Sequence, residues 1–136
     1  NGYLNAWSIA SQADKYSDLW LGSPQFIIGI LVFLSGMALN KVSDRQLARL
    51  GRDKGEKGAY QIPHGLAYRW VSCPNYLGEI IQWTGWAILT WSWAGVAFAL
   101  FTFCNLAPRA ISNHRWYRER FAEYPDGRRI LVPGLF

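Results

Sequence analysis

The amino-acid sequence predicts an all-α integral-membrane helical bundle, and three observations support this fold class. Of the 136 residues, 51% are apolar and 16% are aromatic, which excludes a disordered or collagen-like chain. Two uncharged stretches, residues 19–40 and 80–108, are each longer than the roughly 18 residues that make a membrane span plausible. The charged residues are concentrated between and after these stretches. A small soluble domain is the alternative, but its core must then hide eight Trp residues and both uncharged stretches.

The first uncharged stretch is predicted to form one membrane span that begins after Pro24. Four small residues along it would let a second helix approach closely: Gly29, Ser35, Gly36 and Ala38. Basic loops collect on one side of a membrane, so residues 1–18, with two Asp and one Lys, are expected across the membrane from the basic segment 41–57. Residues 51–58 are rich in Gly and charge and predict a loop. The polar and Pro-broken residues 60–68 are typical of a loop over the mouth of a bundle.

The second uncharged stretch is predicted to form a helical hairpin. Its 29 residues are too many for one span and few for two, unless both helices extend beyond the lipid. The flanking segments 41–57 and 109–129 each carry six basic and three acidic residues, so both should face the same side of the membrane. Two crossings satisfy that requirement, with the turn at residues 91–95.

Phosphate binding by a glycine-rich turn is excluded, because neither GxGxxG nor GxxxxGK[ST] occurs in the sequence. Arginine side chains match phosphate oxygens, although on composition alone the positive charge expected on one side of a membrane explains them better. The candidates are Arg45, Arg49, Arg52, Arg109 and Arg115. We expect no metal site, because Cys73 and Cys104 lie far apart and lack zinc-ligand spacing with the two His residues.

Polar residues at the edges of the uncharged stretches are the strongest candidates for a site, because such groups are costly near lipid unless they face a cavity. They are Asn40, Asp44, Asn75, Glu79, Asn105 and Arg109. Asn75 and Glu79 stand four residues apart on one helix face, where both could contact a ligand. Alternatively, Asn75 caps the helix and Glu79 lies in its first turn. Arg109, Asn113 and Tyr117 form a polar stripe, as a solvated helix face also would.

Several motifs in order resemble the C-terminal half of steroid 5α-reductases. They are NYLGEIIQW at residues 75–83, RAISNHRWY at 109–117, EYPDGRRILVPGLF at 123–136, NGYL at 1–4 and NKVSD at 40–44. The similarity covers essentially the whole chain. Membrane reductases that act on sterol double bonds or on trans-2-enoyl-CoA, and isoprenylcysteine methyltransferases, share a looser version of the pattern.

The resemblance implies a seven-span membrane bundle in which residues 1–136 form the C-terminal, cofactor-binding half, with the last three to four spans. Such an enzyme transfers hydride from NADPH to C5 of a 3-oxo-Δ4-steroid while a proton reaches C4. By motif match, nine residues line the NADPH site: Asn40, Asp44, Arg52, Tyr60, Asn75, Glu79, Arg109, Asn113 and Tyr117. Asn113 replaces a frequent cofactor-contacting His, and His114 beside it is the other candidate for that role.

The resemblance also implies where the remaining functions lie. Glu79 and Asn105 are candidates for substrate contact, and Asn105 stands where an aromatic residue usually borders the steroid. The catalytic acid pair, a Glu and a Tyr, is expected in the N-terminal half, so the chain is expected to be one piece of a longer polypeptide. The implied partners are a steroid or similar lipid, membrane lipid and that N-terminal half, without nucleic acid. The implied location is the endoplasmic reticulum or a bacterial inner membrane, with the cofactor site facing the cytosol.

Two other functions remain open at this point. A methyltransferase that uses S-adenosylmethionine would also bind its cofactor at the mouth of a C-terminal helical bundle, but S-adenosylmethionine carries no phosphate, whereas NADPH requires several converging Arg residues. A lipid-binding scaffold would use the same basic patch to attract anionic lipid. The arginines favour the reductase among the enzymes.

Overall fold

The computed structural model describes residues 2–52 and 61–134, and it confirms the all-α fold class. It is 75% helical. The helices are α1 (Gly2–Ala10), α2 (Asp18–Leu21), α3 (Pro24–Arg52), α4 (Pro74–Thr90) and α5 (Trp93–Arg120), with short 3₁₀ turns at Ala13–Lys15 and Leu66–Arg69. Over the described residues the only β-type pairing is a single bridge between Val71 and Arg129.

Two of the described helices, α3 and α5, are long and apolar enough to cross a membrane. Only 17% and 28% of their most apolar windows are buried within the chain, whereas the core helix of a soluble protein would be mostly buried. The 17 residues of α4 lie near the lower limit of about 17 residues for a span. These exposed apolar helix faces are those of a membrane bundle.

Glycine residues set the distance between α3 and α4. A methyl group at Gly36 would lie 2.3 Å from the backbone nitrogen of Gln82, and one at Gly78 would lie 2.4 Å from that of Asn40. Gly29 and Gly85 meet Leu89 and Phe33 in the same way. Because each helix presents two glycines seven residues apart, the two backbones touch along one face. We call this contact the glycine seam. The predicted close approach thus uses Gly29 and Gly36, while Ser35 and Ala38 are exposed.

The predicted hairpin is confirmed, because α4 and α5 are joined by only Trp91 and Ser92. Trp91 ends α4 in the left-handed conformation with φ 46°. Ser92 then caps α5, since its Oγ accepts a hydrogen bond from the Gly95 nitrogen at 3.1 Å. The chain therefore reverses within two residues.

The N-terminal segment packs against this turn. The Lys15 ammonium donates to the carbonyl oxygens of Thr90 and Trp91 at 3.2 and 2.7 Å, and the Tyr16 hydroxyl donates to Thr90 at 2.8 Å. Trp20 Nε1 donates to the Leu89 carbonyl at 3.2 Å. The segment thus lies at the opposite end of the bundle from residues 41–52, in the arrangement that the charge pattern predicts.

Two details differ from the sequence-based expectations. The loop predicted from residue 51 does not start there, because α3 continues through Gly51 to Arg52. Charge marks where a helix leaves the lipid, and good helix formers such as Arg49 and Leu50 let it continue in water. Asn75 is not the N-cap of α4, because Cys73 holds that position and Pro74 is the first helical residue.

After α5 the chain turns back and crosses the start of α4. The backbone nitrogens of Ser72 and Cys73 donate to the carbonyls of Arg129 and Ile130 at 2.8 and 3.3 Å. Leu131 is buried in a small apolar core whose other buried members are Cys73, Ala107 and Ala110. We call residues 121–134 the C-terminal strap. It covers the start of α4, where Cys73 packs beside Ala107 and Ala110 of α5.

Candidate functional site

A groove lies at the end of the bundle where α3 and α5 become polar. Its volume is about 610 Å³. The lining residues are Leu47, Leu50 and Gly51 of α3, Gln61, and Asn113, Trp116 and Tyr117 of α5. The loop that carries Gln61 is held to α3, because the Gln46 side chain donates to the His64 carbonyl. The groove thus opens between two helices where their charged residues begin.

Polar side chains from α3 and α4 join one turn away from the groove. Asn40 Nδ2 donates to the Asn75 carbonyl at 3.1 Å, and Asn75 Nδ2 donates to Asp44 Oδ1 at 3.1 Å. Gly78 permits this contact, because its missing side chain lets Asn40 approach α4. The Asp44 side chain is exposed and retains acceptor capacity for a further hydrogen bond.

Asn113 of α5 contacts the start of α4 beside this cluster. Its Nδ2 lies 3.4 Å from the Tyr76 hydroxyl and 3.9 Å from Cys73 Sγ. Burial raises the pKa of the Cys73 thiol to about 11, although the contact from Asn113 acts in the opposite direction. Burial also raises the pKa of the Tyr68 phenol well above its usual range, so both groups stay protonated at neutral pH. Neither group is a base or a nucleophile in this environment.

The remaining site residues predicted from the sequence fall into four groups. Tyr117 lines the groove with Asn113, and Arg109 is exposed two turns before Tyr117 on the same helix. Glu79 is half-buried one turn after Asn75. Asn105 is exposed and donates to the Phe101 carbonyl of its own helix, so it does not join the groove. Tyr60 and the side chain of Arg52 lie outside the described residues.

The groove end of the bundle carries excess positive charge. The one ion pair among the described residues joins Arg118 to Asp126 at 3.9 Å, and both side chains are exposed. Four other arginines at this end are exposed and have no carboxylate partner in the described part of the chain: Arg45, Arg49, Arg109 and Arg115. Exposed guanidinium groups of this kind bind phosphate oxygens in bidentate fashion.

A buried polar junction beneath the groove was missed at the sequence level. The Ser72 hydroxyl lies 2.6 Å from both His114 Nδ1 and the Tyr124 hydroxyl. The Arg128 guanidinium lies 4.8 Å from the centre of the Tyr124 ring and donates to the Pro63 carbonyl at 3.1 Å. Arg128 is only 4% exposed, and its Nε and Nη1 have no hydrogen-bond partner among residues 2–52 and 61–134, so the face of Tyr124 is the main contact there that compensates its charge. Single polar residues far apart in sequence give no periodic signal for such a junction.

The second cavity is apolar and lies along the α4–α5 hairpin. Its volume is about 660 Å³. Its walls include Ile80, Ile88, Trp93, Leu100 and Phe103. Together, three packed helices with exposed apolar faces, a polar groove at one end and exposed arginines at that same end define the class of the protein as an all-α membrane bundle.

Comparisons with known proteins identify the family. The family model described as 3-oxo-5-alpha-steroid 4-dehydrogenase matches residues 1–136. The chain is 45% identical over 140 residues to the steroid 5-alpha-reductase DET2 of Arabidopsis thaliana, covering 100% of the chain and 52% of that relative. It is 46% identical over 136 residues to 3-oxo-5-alpha-steroid 4-dehydrogenase 1 of Macaca fascicularis and 45% to that of Homo sapiens, in each case covering 100% of the chain and 51% of the relative.

The chain therefore belongs to the 3-oxo-5-alpha-steroid 4-dehydrogenase family, which confirms the resemblance found in its motifs. It spans about half the length of the curated relatives that it matches.

Proposed function

We propose that this chain is the C-terminal, cofactor-binding half of an NADPH-dependent membrane reductase that saturates the C4–C5 double bond of 3-oxo-Δ4-steroids. The observation that carries the proposal is the match of the family model to the whole chain. The names of the relatives describe the same reaction in two ways, as a steroid 5-alpha-reductase and as a 3-oxo-5-alpha-steroid 4-dehydrogenase. The remaining half of the protein is expected to supply the acid that polarises the 3-oxo group.

The groove end fits a cofactor with several phosphates. Arg109 and Arg115 on α5 face the same end of the bundle as Arg45 and Arg49 on α3, and none of them has a carboxylate partner among the described residues. Together with Arg52, these side chains would hold the phosphates of NADPH without a glycine-rich turn. When bound, NADPH supplies the hydride that adds to C5 of the enone.

The polar side chains near the groove would bind the uncharged parts of the cofactor. Asn40 orients Asn75, and Asn75 orients the Asp44 carboxylate, which leaves an acceptor for a sugar hydroxyl. Asn113 and Tyr117 would contact the cofactor from α5, and Glu79 and Tyr60 complete the proposed set. Because Asn40, Asn75 and Asp44 are already hydrogen-bonded to one another, this part of the proposed site needs little ordering when the cofactor binds.

The apolar faces of the helices fit a lipid substrate that arrives from the membrane. Glu79 and Asn105 are the residues of this chain proposed to contact it, while most of its pocket is assigned to the other half of the protein. We place the protein in the endoplasmic reticulum if it is eukaryotic and in the inner membrane if it is bacterial. The basic groove end would then face the cytosol, as the distribution of basic loops predicts.

The decisive test uses the longest polypeptide that contains this chain, purified in detergent. It should bind NADPH and convert a 3-oxo-Δ4-steroid to a product that carries two more hydrogen atoms, measured by mass spectrometry. With NADPH deuterated at the transferred position, the label should appear at C5. Binding of S-adenosylmethionine instead of NADPH would assign the protein to the methyltransferases. Reduction of trans-2-enoyl-CoA but of no steroid would assign it to the other membrane reductases.

A further inference from the structure

We propose that Ser72 is a positioning residue for the groove: its hydroxyl joins the C-terminal strap to α5 and so holds Tyr117 and Asn113 in place. This inference rests on the proposed function, because it assigns the groove to NADPH. Ser72 itself lies outside the residues that line the groove and is only 3% exposed.

The Ser72 hydroxyl has a complete set of partners. It lies 3.1 Å from the Arg129 carbonyl and 2.6 Å from both His114 Nδ1 and the Tyr124 hydroxyl. A serine hydroxyl donates one hydrogen bond and accepts two. Because a carbonyl can only accept, Ser72 donates to Arg129, while His114 Nδ1 and the Tyr124 hydroxyl both donate to Ser72. This arrangement satisfies all three contacts and assigns the imidazole proton to Nδ1.

Through Tyr124 this junction reaches the wall of the groove. The Tyr124 ring lies nearly parallel to the Tyr117 ring, with centroids 5.4 Å apart and planes at 15°. His114 packs edge-on against Tyr124 at 5.8 Å and directly follows Asn113 on α5. Both side-chain partners of Ser72 thus adjoin a groove residue of the proposed cofactor site. Tyr124 stacks on Tyr117, and His114 directly follows Asn113 in the chain.

Arg128 extends the junction to the opposite wall of the groove. Its guanidinium lies against Tyr124 and donates to the carbonyl of Pro63, two residues after the groove residue Gln61. Removal of the Ser72 hydroxyl would leave a buried N–H and a buried O–H without a partner. We expect the strap to shift when these hydrogen bonds are lost, and that shift would release the Tyr124 ring from Tyr117.

The test compares Ser72→Ala with wild type in the longest polypeptide that contains this chain. The dissociation constant and the KM for NADPH should rise about tenfold, the usual effect of losing a buried hydrogen bond, while kcat and the KM for the steroid stay the same. Tyr124→Phe keeps the ring stack but loses one bond to Ser72, so its effect should be smaller. Ser35→Ala is the matched control, because the Ser35 hydroxyl is exposed and bonds only within its own helix at Val32.

A second measurement does not depend on the cofactor. With Cys104 replaced by Ser, the buried Cys73 thiol beside Ser72 should react faster with maleimide in Ser72→Ala, because the strap that covers it has moved. If wild type binds NADPH and Ser72→Ala binds it equally well, the positioning role is wrong and the proposed function stands. If wild type binds no NADPH, the proposed function fails. Unchanged Cys73 labelling in Ser72→Ala would then overturn the positioning role independently.

Discussion

The two ends of the helical bundle are built in opposite ways. At the turn end, Lys15, Tyr16 and Trp20 all donate to backbone carbonyls at the end of α4. At the groove end, Asn40, Asn75 and Asp44 bond along a chain that finishes on an exposed carboxylate. The side chains of the turn end thus satisfy backbone carbonyls, whereas the Asp44 carboxylate at the groove end can still accept a hydrogen bond from a ligand.

This difference separates stability from binding. Side-chain donors at the turn end satisfy carbonyls that a helix terminus otherwise leaves unpaired, and the Lys15 ammonium also lies at the negative end of the α4 dipole. Arg45, Arg49, Arg109 and Arg115 at the groove end lack carboxylate partners among the described residues. Substitutions at the turn end should therefore change the free energy of unfolding, and substitutions at the groove end should change affinity.

The largest effect is expected at the glycine seam, which supports both ends. In Gly78→Ala the new methyl group would lie 2.4 Å from the Asn40 backbone nitrogen, which cannot move aside as a flexible side chain would. We expect a loss of about 3 kcal/mol in the free energy of unfolding, the upper part of the range for an overpacked core. Thermal unfolding of the longest detergent-solubilised polypeptide measures it.

Gly22→Ala is the control for this substitution, because its methyl group would meet only the Leu19 carbonyl at an ordinary 3.7 Å. NADPH affinity should also fall in Gly78→Ala, since Asn40 and Asn75 are pushed apart. Equal unfolding temperatures for the two variants would show that the seam is not a close contact in the membrane.

A substitution at the groove end should affect affinity alone. Arg109→Ala should weaken NADPH binding by about 1.5 to 3 kcal/mol, the scale of a hydrogen bond to a charged group. Because Arg109 is exposed, its unfolding temperature should stay that of wild type. Calorimetric titration with NADPH measures the affinity, and Lys41→Ala on the exposed face of α3 is the charge-matched control. Wild-type affinity in Arg109→Ala would remove Arg109 from the site.

The reciprocal substitution lies at the turn end. Lys15→Met should lower the free energy of unfolding by about 1 kcal/mol, because the last carbonyls of α4 lose a charged donor. NADPH affinity should be unchanged, since the turn end is the far end of the bundle. Chemical unfolding and NADPH titration on the same preparation test both statements, and a loss of affinity would mean that the two ends are coupled.

The smallest signal is expected from Cys73, which lies buried beneath the groove end. Its pKa of about 11, against 9.0 for an unperturbed thiol, leaves about a hundredfold less thiolate at pH 8. Maleimide at pH 8 should therefore barely label Cys73 in a Cys104→Ser background. Rapid labelling at pH 8 would show that the strap does not cover the thiol. The same labelling in denaturant is the control.

The long helix α3 and the α4–α5 hairpin follow from the two uncharged stretches and their charged flanks, because lipid excludes charge over fixed lengths. A turn at residues 91–95 is needed because the two basic flanks must lie on the same side of the membrane, which requires two crossings. The end of α3 at Arg52 does not follow, since helix formers carry a helix past the lipid boundary. The pairing of Asn75 with Asp44 depends on how α3 and α4 align. The repeated spacing of seven residues from Gly29 to Gly36 and from Gly78 to Gly85 is the sequence signal that encodes this alignment.

The groove walls and the Ser72 junction are beyond reach from the sequence. Ser72, His114 and Tyr124 lie 42 and 52 residues apart, counted from Ser72, and meet only after the chain beyond α5 reverses. A chain reversal of this kind has no hydrophobic periodicity, and its three backbone hydrogen bonds, to Trp70, Ser72 and Cys73, depend on the tertiary structure. Motif resemblance indicated which residues belong to the site but not which neighbours hold them.

The glycine seam has a mechanical consequence for ligand exchange. Backbone contact at the glycine seam leaves no flexible side chains at these positions that could adjust if α3 and α4 slid past each other. The two helices should therefore move as one rigid unit. Between α4 and α5 the close glycine approach in the described part of the chain is at Gly95, which meets Ala87 next to the turn, and the C-terminal strap holds the polar end of α5. Any widening of the groove that admits or releases a ligand should therefore come from a swing of the polar end of α5, with the turn at Trp91 and Ser92 as its pivot.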